Sequence, residues 1–249
     1  MGMAHRRRSG YAAAFPNLPH PAMRQTRLYL DQPLHPGQRL RLDSDAAQRL
    51  VQVLRARRGD RLAVFNGDGR DFAAEVLQAG RRQMELALGQ PGEAEPPPVL
   101  VVELLLGISK GERMDYALQK AVELGVSRVQ PITTARSVVR LDDERRERKQ
   151  AHWQGVVVSA CEQSGRRRLP VLEAPVALHE ALPTARGLRL LLDPSAAQGL
   201  PALPAPEGPV TLLIGPEGGL SEVEREFARR ERFTGVRLGP RILRTETAP

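Results

Sequence analysis

Along the 249 residues the spacing of hydrophobic and polar positions changes once, near residue 90. From about residue 24 to residue 89, apolar residues come in short alternating runs at 27–30, 39–42, 62–66, 72–78 and 83–88, the two-residue period of strands. Turn formers separate them: Pro36-Gly37, Asn66-Gly67-Asp68-Gly69 and Ala79-Gly80. A single helical stretch at 46–55 interrupts the run. A small β-barrel or curled sheet is the expected result. Residues 90–98, Gln-Pro-Gly-Glu-Ala-Glu-Pro-Pro-Pro, break the pattern, because consecutive prolines cannot continue a sheet and favour an extended spacer.

Past that spacer, strand-like and helix-like stretches alternate. An apolar strand is expected at 99–107, then a helix at 114–124 with Met114, Leu118, Ala121 and Val122 on one face and Gly125 as its C-cap. A strand at 128–132 precedes a long helix at 142–163, whose Asp142, Asp143 and Glu144 suit its positive amino end. Further strands are expected at 187–193 and 210–214. Residues 195–209, rich in Ala, Pro and Gly, form an unassigned connector. Val210-Thr-Leu-Leu-Ile214 has no polar alternation, so it reads as a strand buried on both faces, as in a parallel sheet covered by helices.

The candidate chemistry follows that strand. Gly215-Pro216-Glu217-Gly218-Gly219 lies where a parallel sheet binds ligands, at the carboxyl end of a strand, and its glycines let main-chain N–H and C=O groups face a ligand. Ser221 and Glu224 then form a capping box that starts a helix at Glu222 and runs to about residue 232. A second strand ends at Arg237-Leu238, and Gly239-Pro240 leads into Arg241-Ile242-Leu243-Arg244. The first loop is no phosphate-binding P-loop, since Leu220 stands where a lysine is needed, and it lacks the G-x-G-x-x-G spacing of a dinucleotide site. Apolar, backbone-rich walls suit an adenine-bearing ligand held mainly by main-chain bonds.

Leu212-Leu-Ile-Gly-Pro-Glu-Gly-Gly-Leu-Ser221, followed by Leu238-Gly-Pro-Arg-Ile-Leu-Arg-Thr-Glu-Thr-Ala248, resembles the signature of the RsmE family, uridine-N3 methyltransferases of small-subunit ribosomal RNA. Gln119-Lys-Ala-Val-Glu-Leu-Gly-Val126 and Glu162-Gln-Ser-Gly-Arg166 are similar to the family as well. The resemblance covers nearly everything from Met23 onward. It implies an α/β fold of the SPOUT type, a parallel sheet with a deep carboxyl-terminal trefoil knot, plus an amino-terminal PUA-like β-barrel that contacts RNA. Knots are nearly absent from proteins, so this feature comes from the resemblance alone. The expected organisation is a disordered leader at 1–22, a barrel at 23–90, a linker at 91–98 and a methyltransferase domain at 99–249. Met23 is the expected start, and the family continues past Pro249 into a last helix that completes the knot and a dimer interface, so the sequence reads as truncated.

The resemblance also implies a cofactor, S-adenosyl-L-methionine, bound by Leu192, Ile214, Gly215, Pro216, Glu217, Gly218, Gly219, Leu238, Gly239, Ile242, Leu243 and Arg244, with the loop after Asp193-Pro194 as a third wall. The expected partners are 16S ribosomal RNA in the small subunit and a second copy in a homodimer, with neither membrane nor DNA. Arg24, Arg27, Arg55, Lys110, Arg113, Lys120 and Arg166 are the RNA-binding candidates. Catalytic candidates are Arg166 and Arg27, which would stabilise the anion that develops as uracil N3 loses its proton, and Glu162. No residue is marked as the general base, and Glu217 and Glu246 are alternatives to Glu162. A SPOUT enzyme acting on transfer RNA or a ribose 2′-hydroxyl, and a non-catalytic RNA-binding assembly module, remain the other readings.

Composition agrees with these expectations without selecting among them. The net charge of +8 suggests a polyanionic partner, although Arg6, Arg7 and Arg8 supply three of the positive charges. One cysteine, Cys161, excludes an intramolecular disulfide and fits a reducing cytoplasm; at an apolar helix position it reads as a packed thiol. The five histidines have no metal-site spacing, and the longest apolar run, 99–108, is far too short to span a bilayer.

Overall fold

The five expected strands of the first half form β1 (Arg27–Tyr29), β2 (Arg39–Leu42), β3 (Arg61–Phe65), β4 (Asp71–Ala79) and β5 (Met84–Pro91) in a computed structural model that describes residues 26–42, 55–80, 83–137 and 142–249. Their order in the sheet is β1-β3-β4-β5-β2, parallel only between β1 and β3. Leu28 of β1 and Leu40 of β2 come from opposite edges yet share one buried cluster with Val64, Phe72, Val76 and Leu86, so the sheet curls around a common core. Alternation makes this possible: Leu62 and Val64 face that core while Phe65 faces away from it. The leader, Arg24 and most of the expected helix at 46–55 lie outside the described residues.

The second sheet contains β6 (Val102–Gly107), β7 (Arg128–Thr133), β8 (Val171–Leu172), β9 (Val176–Ala177), β10 (Leu188–Leu192), β11 (Val210–Ile214) and β12 (Thr234–Val236). Its order is β12-β10-β11-β6-β7-β8, with β9 also on β7, and every pairing is parallel. Both faces are covered. Leu104 and Leu106 join Met114, Leu118 and Val122 of α1 (Glu112–Glu123) and Trp153, Val157 and Cys161 of α2 (Asp143–Ser164). Leu105 and Leu213 point the opposite way, toward α3 (Leu178–Ala181) and Ala228 of α4 (Glu222–Arg230). Neighbouring residues of one strand thus enter different cores, which is why β6 and β11 read as continuous apolar runs. Among the described residues no helix is long and apolar enough to cross a membrane.

Three expectations shift. β5 keeps its ladder through Gln90 and Pro91, with Pro91 opposite Phe72, so the spacer starts at Gly92. β6 starts at Val102 because ladder pairing begins there, opposite Val210, and Val99 is fully exposed. α1 ends on Leu124, with Gly125 just beyond it in the left-handed conformation at φ 99°. The capping calls agree with the structure elsewhere: Asp142 accepts from Arg145 N at 2.8 Å and Ser221 from Glu224 N at 3.3 Å.

The two sheets meet where β1 and β3 lie on the carboxyl end of α2. Phe65 leaves its own sheet to join the core under α2. Tyr29 N, a donor on an edge strand with no ladder partner on that side, bonds Glu162 Oε1 at 3.0 Å. The Arg27 guanidinium, 9% exposed, lies 4.3 Å from the Phe65 ring centroid and contacts Asp71 Oδ1 at 2.6 Å, Cys161 O at 2.6 Å and Arg166 O at 3.0 Å. Cys161 O is one of the last carbonyls of α2, so this cation caps a helix end from another element. Arg166 does the same for α1, donating to Val122 O at 3.0 Å and Val126 O at 2.8 Å. The spacer is fixed as well: Glu95 Oε2 accepts from the main-chain N–H of Arg167 at 2.5 Å and of Arg168 at 2.9 Å. Burial pushes the Cys161 thiol up to about 11 against the opposing pull of Arg166 and Arg27, so it stays protonated near neutral pH.

Replacing Arg27 by Met leaves Asp71 with the weaker contact to Arg167, at 3.4 Å, and takes a guanidinium donor from Arg166 O and from Cys161 O, the latter keeping Gly165 N at 3.2 Å. The expected loss is about 3 kcal/mol, at the low end for breaking a buried pair because Asp71 is partly exposed. Urea unfolding of both proteins at neutral pH measures it.

Candidate active site

In an all-parallel sheet every strand ends on the same edge, so the loops after β6, β7, β10, β11 and β12 are neighbours. The loops after β10, β11 and β12 enclose a cavity of about 210 Å³. Its apolar surface comes from Leu191, Leu192, Ile214, Leu220, Leu238, Ile242 and Leu243, its main-chain surface from Gly215, Pro216 and Gly219. Asp193, Glu217, Arg225 and Arg241 add four ionisable side chains to the lining.

The glycine-rich loop is shaped by two close constraints. Gly219 takes φ 65° and its N–H closes the turn on Pro216 O at 2.8 Å. Gly107, the last residue of β6, passes so near the start of the loop that a Cβ there would sit 2.4 Å from Pro216 N. Only a residue without a side chain allows β6 to run under that turn.

Glu217 ties the loop sideways. Its Oε1 accepts from Lys110 N at 3.1 Å and from Arg113 NH1 at 3.1 Å. Burial works to raise its pKa, but its own main-chain N–H, that of Lys110 and the Arg113 guanidinium outweigh burial and hold the carboxyl below its usual value. Asp193 is similar: desolvation is outweighed by Ser195 Oγ at 2.6 Å, Ser195 N at 2.8 Å and the charges of Arg225 and Arg229. Both carboxylates are therefore ionised near neutral pH. Asp193 N also bonds Val236 O at 2.9 Å, which holds the β10 and β12 loops together.

Nine of the residues expected at the cofactor line this cavity: Leu192, Ile214, Gly215, Pro216, Glu217, Gly219, Leu238, Ile242 and Leu243. Gly218, Gly239 and Arg244 do not. Gly218 backs onto Arg136, and a Cβ there would meet the Arg136 Cβ at 3.1 Å, while Gly239 has open space around it. The Arg244 side chain is exposed, and its carbonyl closes the turn that carries Thr245 and Ala248 into the lining. Asp193 and Pro194 were legible as the end of a strand. Arg225, one turn into a capped helix, and Arg241 had no marker in the sequence.

The structure places the catalytic candidates elsewhere. Arg27, Arg166 and Glu162 lie together at the junction between β1 and α2, and none of them lines the cavity. The two arginines are engaged with carbonyl groups and Asp71, which a string of basic residues cannot distinguish from free charge. Glu246 lies 3.8 Å from the Arg244 guanidinium. Of the RNA-binding candidates, Lys110 stands on the β6 loop and Arg113 in the first turn of α1, both bonded to Glu217 of the cavity lining, and Arg55 is exposed on the first sheet's side. Lys120 is paired with Glu123 and lies over the Tyr116 ring on α1, and Arg24 falls outside the described residues. Among the described residues there is no cluster that could hold a metal ion.

Comparison with known proteins adds independent information. Residues 95–249 match a family described as the RNA methyltransferase domain, and residues 48–88 match the RNA methyltransferase PUA domain. Ribosomal RNA small subunit methyltransferase E of Buchnera aphidicola subsp. Schizaphis graminum is 32% identical, over 89% of this chain and 91% of its own length. The Bacillus subtilis protein of that name is 31% identical, over 84% and 85%. Among solved structures, Ribosomal RNA small subunit methyltransferase E of Neisseria gonorrhoeae bound to S-adenosyl methionine is similar at TM-score 0.86, with 37% identity over 90% of this chain and 93% of that one. A putative methyltransferase of Legionella pneumophila in complex with the same cofactor gives TM-score 0.87, with 37% identity over 91% and 94%.

Two substitutions separate the close crossing from ordinary glycines. Gly107→Ala is expected to cost about 1–3 kcal/mol in urea unfolding, since the loop must shift to admit a methyl group. Gly208→Ala, where a Cβ meets nothing within 4 Å, is expected to stay within about 1 kcal/mol of the parent. Glu217 also makes an acid-side prediction. A carboxyl with a depressed folded pKa contributes stability above its unfolded pKa and loses it as pH falls through the folded one, so Glu217→Gln should flatten the decline in urea midpoint between about pH 5 and pH 3.

Proposed function

The chain belongs to the ribosomal RNA small subunit methyltransferase E family, and from that membership we propose that it methylates N3 of a uridine in 16S ribosomal RNA with S-adenosylmethionine as donor. The observation that carries this reading is the cavity at the carboxyl edge of the sheet: apolar side chains around an exposed glycine-rich backbone, with two acids and two arginines among the lining residues. Those features fit the cofactor. Leu191, Leu192, Ile214 and Ile242 suit its flat heterocycle, and main-chain groups of Gly215–Gly219 suit its ring nitrogens. Asp193 and Arg225 offer opposite charges to its amino-acid end.

S-adenosylmethionine supplies a methyl group on a positively charged sulfur, already a strong electrophile. What the protein must add is placement in line with the attacking atom, which can account for most of the rate. Uracil N3 sits on the pairing edge, so the nucleotide has to be unpaired or flipped out to reach the cavity mouth. Its N3 proton leaves as the bond forms, and in this reading Lys110 on the β6 loop and Arg113 in the first turn of α1 lower the cost of the anion that develops. Arg27, Arg166 and Glu162 act in this reading as positioning residues: they hold the first sheet, and RNA bound to it, at a set angle to the cavity.

The same reading assigns RNA contact to the barrel at 23–90, methyl transfer to 99–249, and the small ribosomal subunit in the cytoplasm as substrate. It includes a homodimer and a deep trefoil knot. The segment after β12 would thread past the close crossing of Gly107 and Pro216.

The test is methyl transfer from S-adenosylmethionine to small ribosomal subunits that lack the modification, followed by nucleoside mass analysis. N3-methyluridine is the expected product; a ribose-methylated nucleoside, or RNA binding with no methylated product, would sink the proposal. Arg166→Ala should keep cofactor affinity, measured by calorimetry, and lose about 10- to 100-fold in turnover through misplacement.

A further inference from the structure

We propose that Arg136 is an RNA-binding residue, a cation held beside the mouth of the cavity to take a phosphate of the substrate strand; this rests on the function proposed above.

Arg136 stands on the loop after β7, two strands along the carboxyl edge from β11. Its NH1 donates to Gly218 O at 3.0 Å, and its Cβ packs where a side chain on Gly218 would have to go. The residues on either side of Gly218, Glu217 and Gly219, line the cavity. Arg136 is thus fastened to the outside of the cavity wall.

Its loop is held at several points. Thr134 N donates to Ser137 Oγ at 3.0 Å, and the two hydroxyls are 3.1 Å apart. Ser137 N closes the turn on Thr134 O at 3.0 Å. Ala135 N reaches Glu224 Oε1 at 2.7 Å, while the other oxygen of the same carboxylate caps Ser221 N at 2.7 Å. One glutamate therefore locks the β7 loop to the turn that follows the glycine-rich loop.

No carboxylate among the described residues pairs with the cation so held. Among the described residues its guanidinium has one protein partner, the Gly218 carbonyl, and the side chain is exposed. A surface arginine normally gains little from being fixed, because ordering a long side chain costs entropy that a single exposed bond hardly repays. Fixing it makes sense when the remaining donors of the fork face a ligand, and a phosphate matches that fork. Glu217 of the same glycine-rich loop accepts from the main-chain N–H of Lys110 on the β6 loop and from the Arg113 guanidinium in the first turn of α1. Residues 217 and 218 consequently hold two guanidinium groups, Arg113 after β6 and Arg136 after β7, and the carboxyl edge divides into a cofactor half at β12, β10 and β11 and a cationic half at β6 and β7.

The experiment compares wild type, Arg136→Ala and Arg136→Lys for binding to an unmodified small-subunit RNA fragment at a series of salt concentrations, with S-adenosylmethionine affinity measured in parallel by calorimetry. Arg136→Ala should weaken RNA binding several-fold and reduce the slope of log affinity against log salt by about 1, the signature of one lost phosphate contact. Arg136→Lys should keep the slope, since the charge remains, and bind between the other two. Cofactor affinity should be the same in all three. Unchanged RNA affinity and slope in Arg136→Ala, with wild type binding, overturns this inference alone. A parallel fall in cofactor affinity also overturns it, because Arg136 would then only brace the loop. A wild-type chain that binds no RNA overturns both this inference and the function it rests on.

Discussion

A parallel sheet buried on both faces has one place left for polar chemistry, the edge where its strands end. Here Leu104 and Leu106 enter one core while Leu105 enters the other, and Ile214 and Leu213 divide in the same way. The polar side chains those two strands do carry, Glu103 and Thr211, are buried and paired within the protein, with Arg128 and with Arg186, and are not left for a ligand. The loops take the whole burden, and their spacing is that of the strands beneath them, about 4.8 Å apart. Such close spacing lets the carbonyl and carboxylate of adjacent loop residues steer side chains that follow two neighbouring strands, as Glu217 and Gly218 do with Arg113 after β6 and Arg136 after β7.

The second constraint lies at the junction of the sheets. α2 ends against the edge strand β1, so acceptors at the end of a helix meet donors of a strand. Arg27 and Glu162 satisfy both sets, and Arg166 repeats the device on α1. Positive charge that composition credits to a polyanionic partner is in part internal, consumed by helix ends and by Asp71. The cationic surface facing outward is correspondingly smaller than the net charge suggests.

Much of this was legible in the sequence, for reasons that can be named. Alternation identified the strands of the first sheet, continuous apolar runs identified β6 and β11, and Ser221 with Glu224 marked the start of α4. The cavity followed because a glycine-rich turn after a buried strand has few other uses. What escaped was whatever depends on pairing over long sequence distances. Arg27 meets Arg166 across 139 residues, and nothing local to either residue announces it. Arg136 was passed over for the same reason, since its partner Gly218 lies 82 residues away. The strand at Val102 began late because an exposed valine after three prolines has the same apolar letter as a buried one.

Glu95 has a consequence for how length is read along a bound strand. A proline-rich spacer between two domains ordinarily acts as a tether, so that contacts made by one domain raise only the local concentration of the other. With its carboxylate clamped by the N–H groups of Arg167 and Arg168, this spacer has no slack to give. The curled sheet and the cavity are held at a set distance, and under the function proposed above an RNA bound to the curled sheet would have to carry its target nucleotide at the matching distance from it.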